Sequence, residues 1–242
     1  MGYYIGLMIE AVFFDMYGTL SGFKPSRFEI QNKACLEFGI ELTESGTLKG
    51  YAEADAFMTQ QNSIAPLRLR NPPEVFAFFQ EYEKKVISGS GIEVESDLAG
   101  RIWEVIKTIP YDMVLFDDVR GVLESLSNMR VVIGLISNMN QPGHALIEKF
   151  DLGDYVDFAV TSFEVGSEKP HSPIFLEALK RSGCRNKKTV HVGDQIGSDV
   201  EGAIQVGINP ILLDRDGNHV GYAECPRIVN LEEILSLLDT LG

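Results

Sequence analysis

The sequence is short of cysteine, of basic residues and of long apolar runs, and each shortage removes a class of protein. Its three cysteines, Cys35, Cys184 and Cys225, are odd in number, far apart and never in CxxC spacing, which argues against a disulfide framework and a thiolate zinc site. A reducing cytoplasm suits them. Lys and Arg total 21 against 35 Asp and Glu, for a formal charge of -14. That field repels polyanions, so nucleic acid is not an expected partner without a concentrated basic patch. The pairs Arg68/Arg70 and Lys187/Lys188 are too small to be one. No stretch nears the roughly 18 uninterrupted apolar residues of a membrane span, and none is repetitive or low in complexity. The opening MGYYIGLMIEAVFF is apolar but has neither a basic leader nor a small-residue cleavage site, so it reads as a first strand. Residues 1 to 8 read as an extension, with Met8 a natural start.

What remains is ordinary globular material, 45% hydrophobic and 23% charged over 242 residues. That is enough for one large α/β domain, or a core carrying a smaller second one. Apolar runs at Glu10 to Phe14, Val131 to Ile136, Val190 to Val192 and Pro210 to Leu213 end in polar or glycine-rich turns, and a further run covers Phe158 to Thr161. All five are expected to be buried strands. Helical spacing falls between them, over Pro142 to Phe150, Ser172 to Ser182 and Ser198 to Val206. Ser172 reads as the cap of its helix, with Pro173 at the first helical position. Alternating strand and helix implies right-handed crossovers and an α/β, doubly wound parallel sheet.

Between about Lys24 and Thr108 the alternation stops. Helical patterns follow one another there, over Arg27 to Phe38, Ser45 to Gln60, Pro73 to Ile87 and Val94 to Ile106. Gly18 and Gly22 mark the way into this insert, and Pro110 and Asp117-Asp118 the way back. The expected organisation is a discontinuous core of residues 1–22 and 110–242, with an inserted helical domain of residues 23–109.

An open parallel sheet binds ligands beyond the carboxyl ends of its strands. Polar residues just after the apolar runs should therefore converge: Asp15 with Thr19, Ser137 with Asn138, Lys169, and Asp194 with Asp199. Read as F-D-M-Y-G-T-L (14 to 20), S-N (137 to 138), K-P (169 to 170) and G-D-Q-I-G-S-D (193 to 199), these segments resemble, in order and context, the four motifs of the haloacid dehalogenase-like superfamily. The resemblance covers residues 9 to 22 and about 115 to 215. It implies a Rossmann-like core with an α-helical cap of subclass I, and a hydrolase.

It also implies roles. Asp15 would be the nucleophile, forming a covalent intermediate. Lys169 and Ser137 would act beside it on the oxygens of a transferring group. Tyr17, Thr19 and Asn138 are candidates for substrate contact. Three carboxylates brought together are costly without a cation, and Mg2+ among Asp15, Tyr17, Asp194 and Asp199 would meet that cost. For Asp199 the competing reading is a plain helix N-cap.

Tyr17 departs from the phosphatase pattern. Phosphatases of this superfamily generally carry a second aspartate two residues after the nucleophile, where it protonates the leaving oxygen. A phenol with a reference pKa of about 10 is a poorer acid there. D-x-Y-G-T-L is instead similar to the 2-haloacid dehalogenases, whose halide leaves without a proton. Those enzymes use no metal and show a serine-serine-asparagine run where this chain has Val192-Gly193-Asp194. The acidic pair outweighs the tyrosine, so the leading expectation is a Mg2+-dependent phosphatase acting on a small phosphorylated metabolite. A metal-independent 2-haloacid dehalogenase and a catalytically weak phosphometabolite-binding protein stand as alternatives. No membrane partner is expected, and no feature of the sequence specifies an oligomeric state. His144, His171, His191 and His219 show no metal spacing and no evident carboxylate partner, so structural or surface roles are expected of them. The same holds for Phe57, Met58, Phe76, Phe78, Phe79 and Trp103, which read as helix packing. Arg27 and Lys49 are candidates to reach an anionic substrate from the insert.

Overall fold

A computed structural model describes residues 9–241, so the proposed extension of residues 1 to 8 lies outside the described residues. The chain runs through β1 (Ala11–Phe14) and β2 (Ser21–Lys24) into four helices: α1 (Arg27–Leu36), α2 (Glu44–Ile64), α3 (Pro72–Ser88) and α4 (Ser96–Ile106). It continues through β3 (Asp112–Leu115), α5 (Val119–Asn128), β4 (Val132–Ser137), α6 (Gly143–Lys149) and β5 (Phe158–Thr161). After α7 (Ser162–Val165) and α8 (Ser172–Ser182) come β6 (Thr189–Gly193), a π-helical turn at Ile196–Val200, and α9 (Glu201–Gln205). β7 (Asn209–Leu213), β8 (Arg227–Ile228) and α10 (Glu233–Leu241) complete it. Two compact units result: Phe23–Val114, and the chain up to Gly22 joined with the chain from Leu115 onward.

The second of these carries a six-stranded sheet in the order β5-β4-β1-β6-β7-β8, with every neighbouring pair parallel. This is the doubly wound, Rossmann-like α/β architecture that the alternation implied. Central β1 is apolar throughout because both its faces are covered. Ala11 and Phe13 join a cluster with Ile174, Phe175 and Ala178 of α8 and Ala203 of α9. Val12 and Phe14, on the opposite face by the two-residue period of a strand, are equally buried. Each fully buried phenylalanine contributes about 1.5–3 kcal/mol. The chain steps outward from β1 to β4 and β5, then returns to the other side of β1 as β6. Such a reversal opens a crevice beyond the carboxyl ends of β1 and its neighbours.

Two boundaries differ from expectation in instructive ways. His171, extended at φ -66 and ψ 136, is the cap of α8, so Pro173 is the second helical residue. The N–H groups of both early positions lack helical partners, so proline alone cannot tell them apart. The helix expected over Ser198 to Val206 is preceded by the π turn, in which the N–H groups of both Asp199 and Val200 approach the Gln195 carbonyl (2.9 and 3.3 Å). Asp199 consequently lies inside the turn and does not cap it, contrary to the N-cap reading.

The helical unit is held by its own cores. Ser26 with Glu29 and Asn71 with Glu74 form capping boxes on α1 and α3. Phe57 stacks on Phe78 at 5.2 Å and Phe79 on Trp103 at 3.8 Å, so the aromatics do pack helices. The Arg27 guanidinium takes both oxygens of Asp55 (2.8 and 2.9 Å), meets the Tyr82 hydroxyl at 3.0 Å, and lies 3.7 Å from the centre of the Tyr51 ring. Its charge is committed to Asp55 within this unit. Lys49 is exposed on α2.

Candidate functional site

Asp15 directly follows β1, where its N–H donates to the Val192 carbonyl (2.9 Å), and its side chain is nearly out of solvent at 7% exposure. The loop beyond it turns sharply, with Gly18 N–H donating to the Ser21 carbonyl and Ser21 N–H to that of Met16, both at 2.8 Å. Gly18 has φ +87, a left-handed conformation that side chains resist, and a Cβ there would run into the Asp194 carboxylate. Gly193 is constrained by space alone, since a Cβ would strike the Asp199 carboxyl. Gly18 and Gly193 thus each leave room for a carboxylate that passes close to the backbone.

Lys169 is the hub. A loop lysine ordinarily faces water, yet this one is 4% exposed, with Nζ 2.5 Å from Asp15 Oδ1 and 2.6 Å from Asp199 Oδ1. Its backbone is clasped by Asn138, whose Oδ1 accepts the Lys169 N–H (2.7 Å) and whose Nδ2 donates to the Lys169 carbonyl (3.1 Å). Asn138 therefore reads as the support of the lysine. Ser137 is buried at the end of β4. Thr19 Oγ1 donates to Asp194 Oδ1 at 3.4 Å, and Tyr17 is half-buried on the loop after Asp15.

One ligand atom from each of Asp15, Asp194 and Asp199 lies within 4.8 Å of the others. Burial lifts the Asp15 carboxyl above its ordinary value, Lys169 opposes that, and the neighbouring Asp199 adds to it. Burial also acts to raise Asp199, but the Lys169 charge and the hydrogen bond to His191 prevail and hold it at about 2. Lys169 is raised although burial opposes its charge, because two carboxylates flank it. Lys169 faces two of these carboxylates, Asp15 and Asp199, and gathering three acidic side chains this closely favours a cation among them.

Two participants escaped the sequence reading. His191, expected to lack a carboxylate partner, has Nε2 2.9 Å from Asp199 Oδ1 and is fully enclosed. The available signal was its place inside a buried strand two residues before Gly193-Asp194. Arg215 takes both oxygens of Asp118 (2.8 and 2.9 Å), donates to the Thr19 carbonyl (2.9 Å), and lies 4.3 Å from the centre of the Phe116 ring. Burial would raise Asp118, but the Arg215 hydrogen bonds hold it below the usual carboxylate range. No local pattern joins residues 118 and 215.

The family profile described as haloacid dehalogenase-like hydrolase matches residues 9–207, most of the chain. The chain belongs to the haloacid dehalogenase-like hydrolases. Among curated relatives of this haloacid dehalogenase-like chain is the ribulose-1,5-bisphosphate 5-phosphatase of Halopiger xanaduensis. It is 33% identical over 132 residues, 54% of this chain and 55% of that protein. The glyceraldehyde 3-phosphate phosphatase of Methanothermobacter thermautotrophicus is 33% identical over 102 residues, 42% of this chain and 45% of that one. The chain spans about half the length of these curated relatives. Among solved structures, the 2-haloacid dehalogenase of Pseudomonas syringae pv. Tomato DC3000 superposes with a TM-score of 0.58 at 23% identity. The superposition covers 97% of this chain and 100% of that one, a likeness of fold. Among the described residues of this haloacid dehalogenase-like hydrolase, no helix is long and apolar enough to cross a membrane.

Proposed function

We propose that this hydrolase is a Mg2+-dependent phosphatase of a small phosphorylated metabolite, working through an aspartyl-phosphate on Asp15. The observation that carries this reading is the meeting of three carboxylates with one lysine. Three carboxylates gathered in a largely buried, all-oxygen cluster suit a hard divalent cation. Asp15 and Asp194, with the loop at Tyr17, are the groups assigned to hold it. Asp199 completes the cluster, although both its oxygens already accept protein donors, Lys169 and His191 on Oδ1 and Gln195 N–H on Oδ2 (3.2 Å). Bound there, magnesium would supply charge neutralisation for the phosphoryl oxygens.

In the proposed cycle an Asp15 oxygen attacks phosphorus, the bond to the ester oxygen breaks with its electron pair on that oxygen, and the oxygen takes a proton from water to leave as the alcohol. Water then attacks the phosphorus of the acyl phosphate, releasing inorganic phosphate and restoring the Asp15 carboxylate. Lys169 keeps Asp15 oriented and offsets charge on the transferring group, and Ser137 donates to its oxygens. Tyr17 in place of a carboxylic acid favours substrates whose leaving group has low basicity. Selection among substrates is assigned to the helical unit, read from the sequence as a cap over residues 23–109. The three free cysteines support a reducing, cytoplasmic setting.

Dehalogenation has one observation in its favour, Tyr17, and the gathering of Asp194 with Asp15 and Asp199 against it. The deciding experiment measures phosphate release from a panel of phosphate monoesters with Mg2+ or chelator, beside halide release from 2-chloropropionate, with Asp15→Asn as the control. Mg2+-dependent phosphate release that the variant loses is the expected result. Halide release indifferent to chelator overturns it.

A further inference from the structure

The chain of contacts does not end at Lys169 and Asp199. We propose that His191 is a positioning residue for the reaction, anchoring Asp199 and, through it, the Lys169 ammonium against Asp15; this rests on the phosphatase reading above. Asp199 Oδ1 accepts from two side chains at once, Lys169 Nζ at 2.6 Å and His191 Nε2 at 2.9 Å. The lysine reaches Asp199 on a flexible four-carbon stem, and a carboxyl torsion is itself broad, so those two groups alone leave one another free to drift. Gln195 N–H holds the other Asp199 oxygen at 3.2 Å, and His191 fixes Oδ1, the oxygen that meets the lysine. His191 sits in the middle of β6, paired in register with Phe13 of β1 and Pro210 of β7, and its ring stands edge-on to Phe175 at 5.2 Å and 89°.

The other ring nitrogen fixes the tautomer. His191 Nδ1 is buried and, among the described residues, has no hydrogen-bond partner. A buried N–H left unsatisfied costs about 1–3 kcal/mol, so the proton resides on Nε2 and is donated to Asp199. Donating from Nε2, His191 orients Asp199 from the sheet side, while Lys169 contacts both Asp199 and Asp15. A histidine present only to fill the core would be replaceable by any ring of its size. One present to position Asp199 requires a donor at Nε2.

The test compares His191→Phe, which fills the space without a donor, with His191→Gln, whose amide N–H reaches the Nε2 position. Circular dichroism and melting temperature establish that each is folded. With p-nitrophenyl phosphate at saturating Mg2+, His191→Phe is expected to lose roughly tenfold or more in kcat with KM nearly unchanged, and His191→Gln to recover to within about threefold of wild type. A second readout needs no turnover. In the metal-free protein, the buried Lys169 ammonium should give an exchange-protected 15N–1H signal in wild type and His191→Gln that shifts or broadens away in His191→Phe. Equal kcat for the two variants, or an unchanged ammonium signal in His191→Phe, overturns the proposal. If wild type releases no phosphate at all, the phosphatase reading fails, and the ammonium signal alone decides the role of His191.

Discussion

Both units of this protein bury ionisable side chains, but they balance them differently. In the helical unit Arg27 meets Asp55 with a bidentate ion pair, and Tyr82 donates to the same carboxylate at 2.6 Å. Glu83 is the exception there. It is 1% exposed, its close partner is the neutral Gln31 amide at 2.6 Å, and Gln31 in turn accepts from Tyr51 at 2.8 Å. Burial lifts Glu83 to about 7 against the pull of Gln31 and Arg27, so protonation is available to remove its charge. In the core unit Lys169 bridges Asp15 and Asp199 with Asp194 close beside them, and the Lys169 charge holds Asp199 ionised. The helical unit pairs or protonates these buried carboxylates, whereas the core unit gathers three at one place, and such a gathering has a use if a cation or a reacting group arrives to meet it.

The sharpest way to break this contrast is Asp15→Asn. Phosphate release should fall by at least about a thousandfold, while the melting temperature of the metal-free protein holds, because Lys169 keeps Asp199 as a partner and the crowding of carboxylates is relieved. A clear drop in melting temperature would show that the Lys169–Asp15 pair is needed for the fold and not only for the reaction.

Glu83→Gln comes next. Folding raises the Glu83 pKa from an ordinary 4.5 to about 7, so the folded state holds the proton more tightly than the unfolded one. The associated stability is therefore complete below about pH 4.5 and is lost as pH rises toward 7, by on the order of 3 kcal/mol. Urea unfolding at pH 5 and pH 8 should show that loss in wild type, relative to Glu83→Gln. Parallel pH dependences would mean that Glu83 is not the buried acid described.

Arg27→Met strips the partner from Asp55 and should cost about 2 kcal/mol, below the usual figure for a buried pair because both side chains keep some solvent contact. Full stability in that variant would show that Asp55 does not need its arginine partner. The smallest effect is that of the cation. At tenfold its Kd, Mg2+ should stabilise wild type by about 1.4 kcal/mol and Asp194→Ala by much less. Equal thermal shifts would place the ion elsewhere.

Much of the core was legible because its signals are local. Runs such as Ala11–Phe14 and Val132–Ser137 are apolar without alternation, as strands covered on both faces must be. The residues just after or ending them fall at one edge of the sheet by geometry alone. What escaped was pairing at a distance. Asn138, read as a substrate contact, clasps the backbone of Lys169, 31 residues away. His191, given no partner, meets Asp199 because a π turn rotates that aspartate inward. Arg27, a candidate to reach substrate, is taken by Asp55, 28 residues further on.

The sequence by itself determined the parallel α/β core, the helical character of the insert, the acidic balance and the four segments whose polar residues follow the apolar runs, since each follows from periodicity, composition or order along the chain. Only the tertiary structure decided which side chain holds which: the shared lysine, the histidine behind Asp199, and the Arg215–Asp118 clamp 97 residues apart in the chain. Hydrogen bonds and ion pairs act over about 3 Å, and packing alone brings such distant residues within that reach.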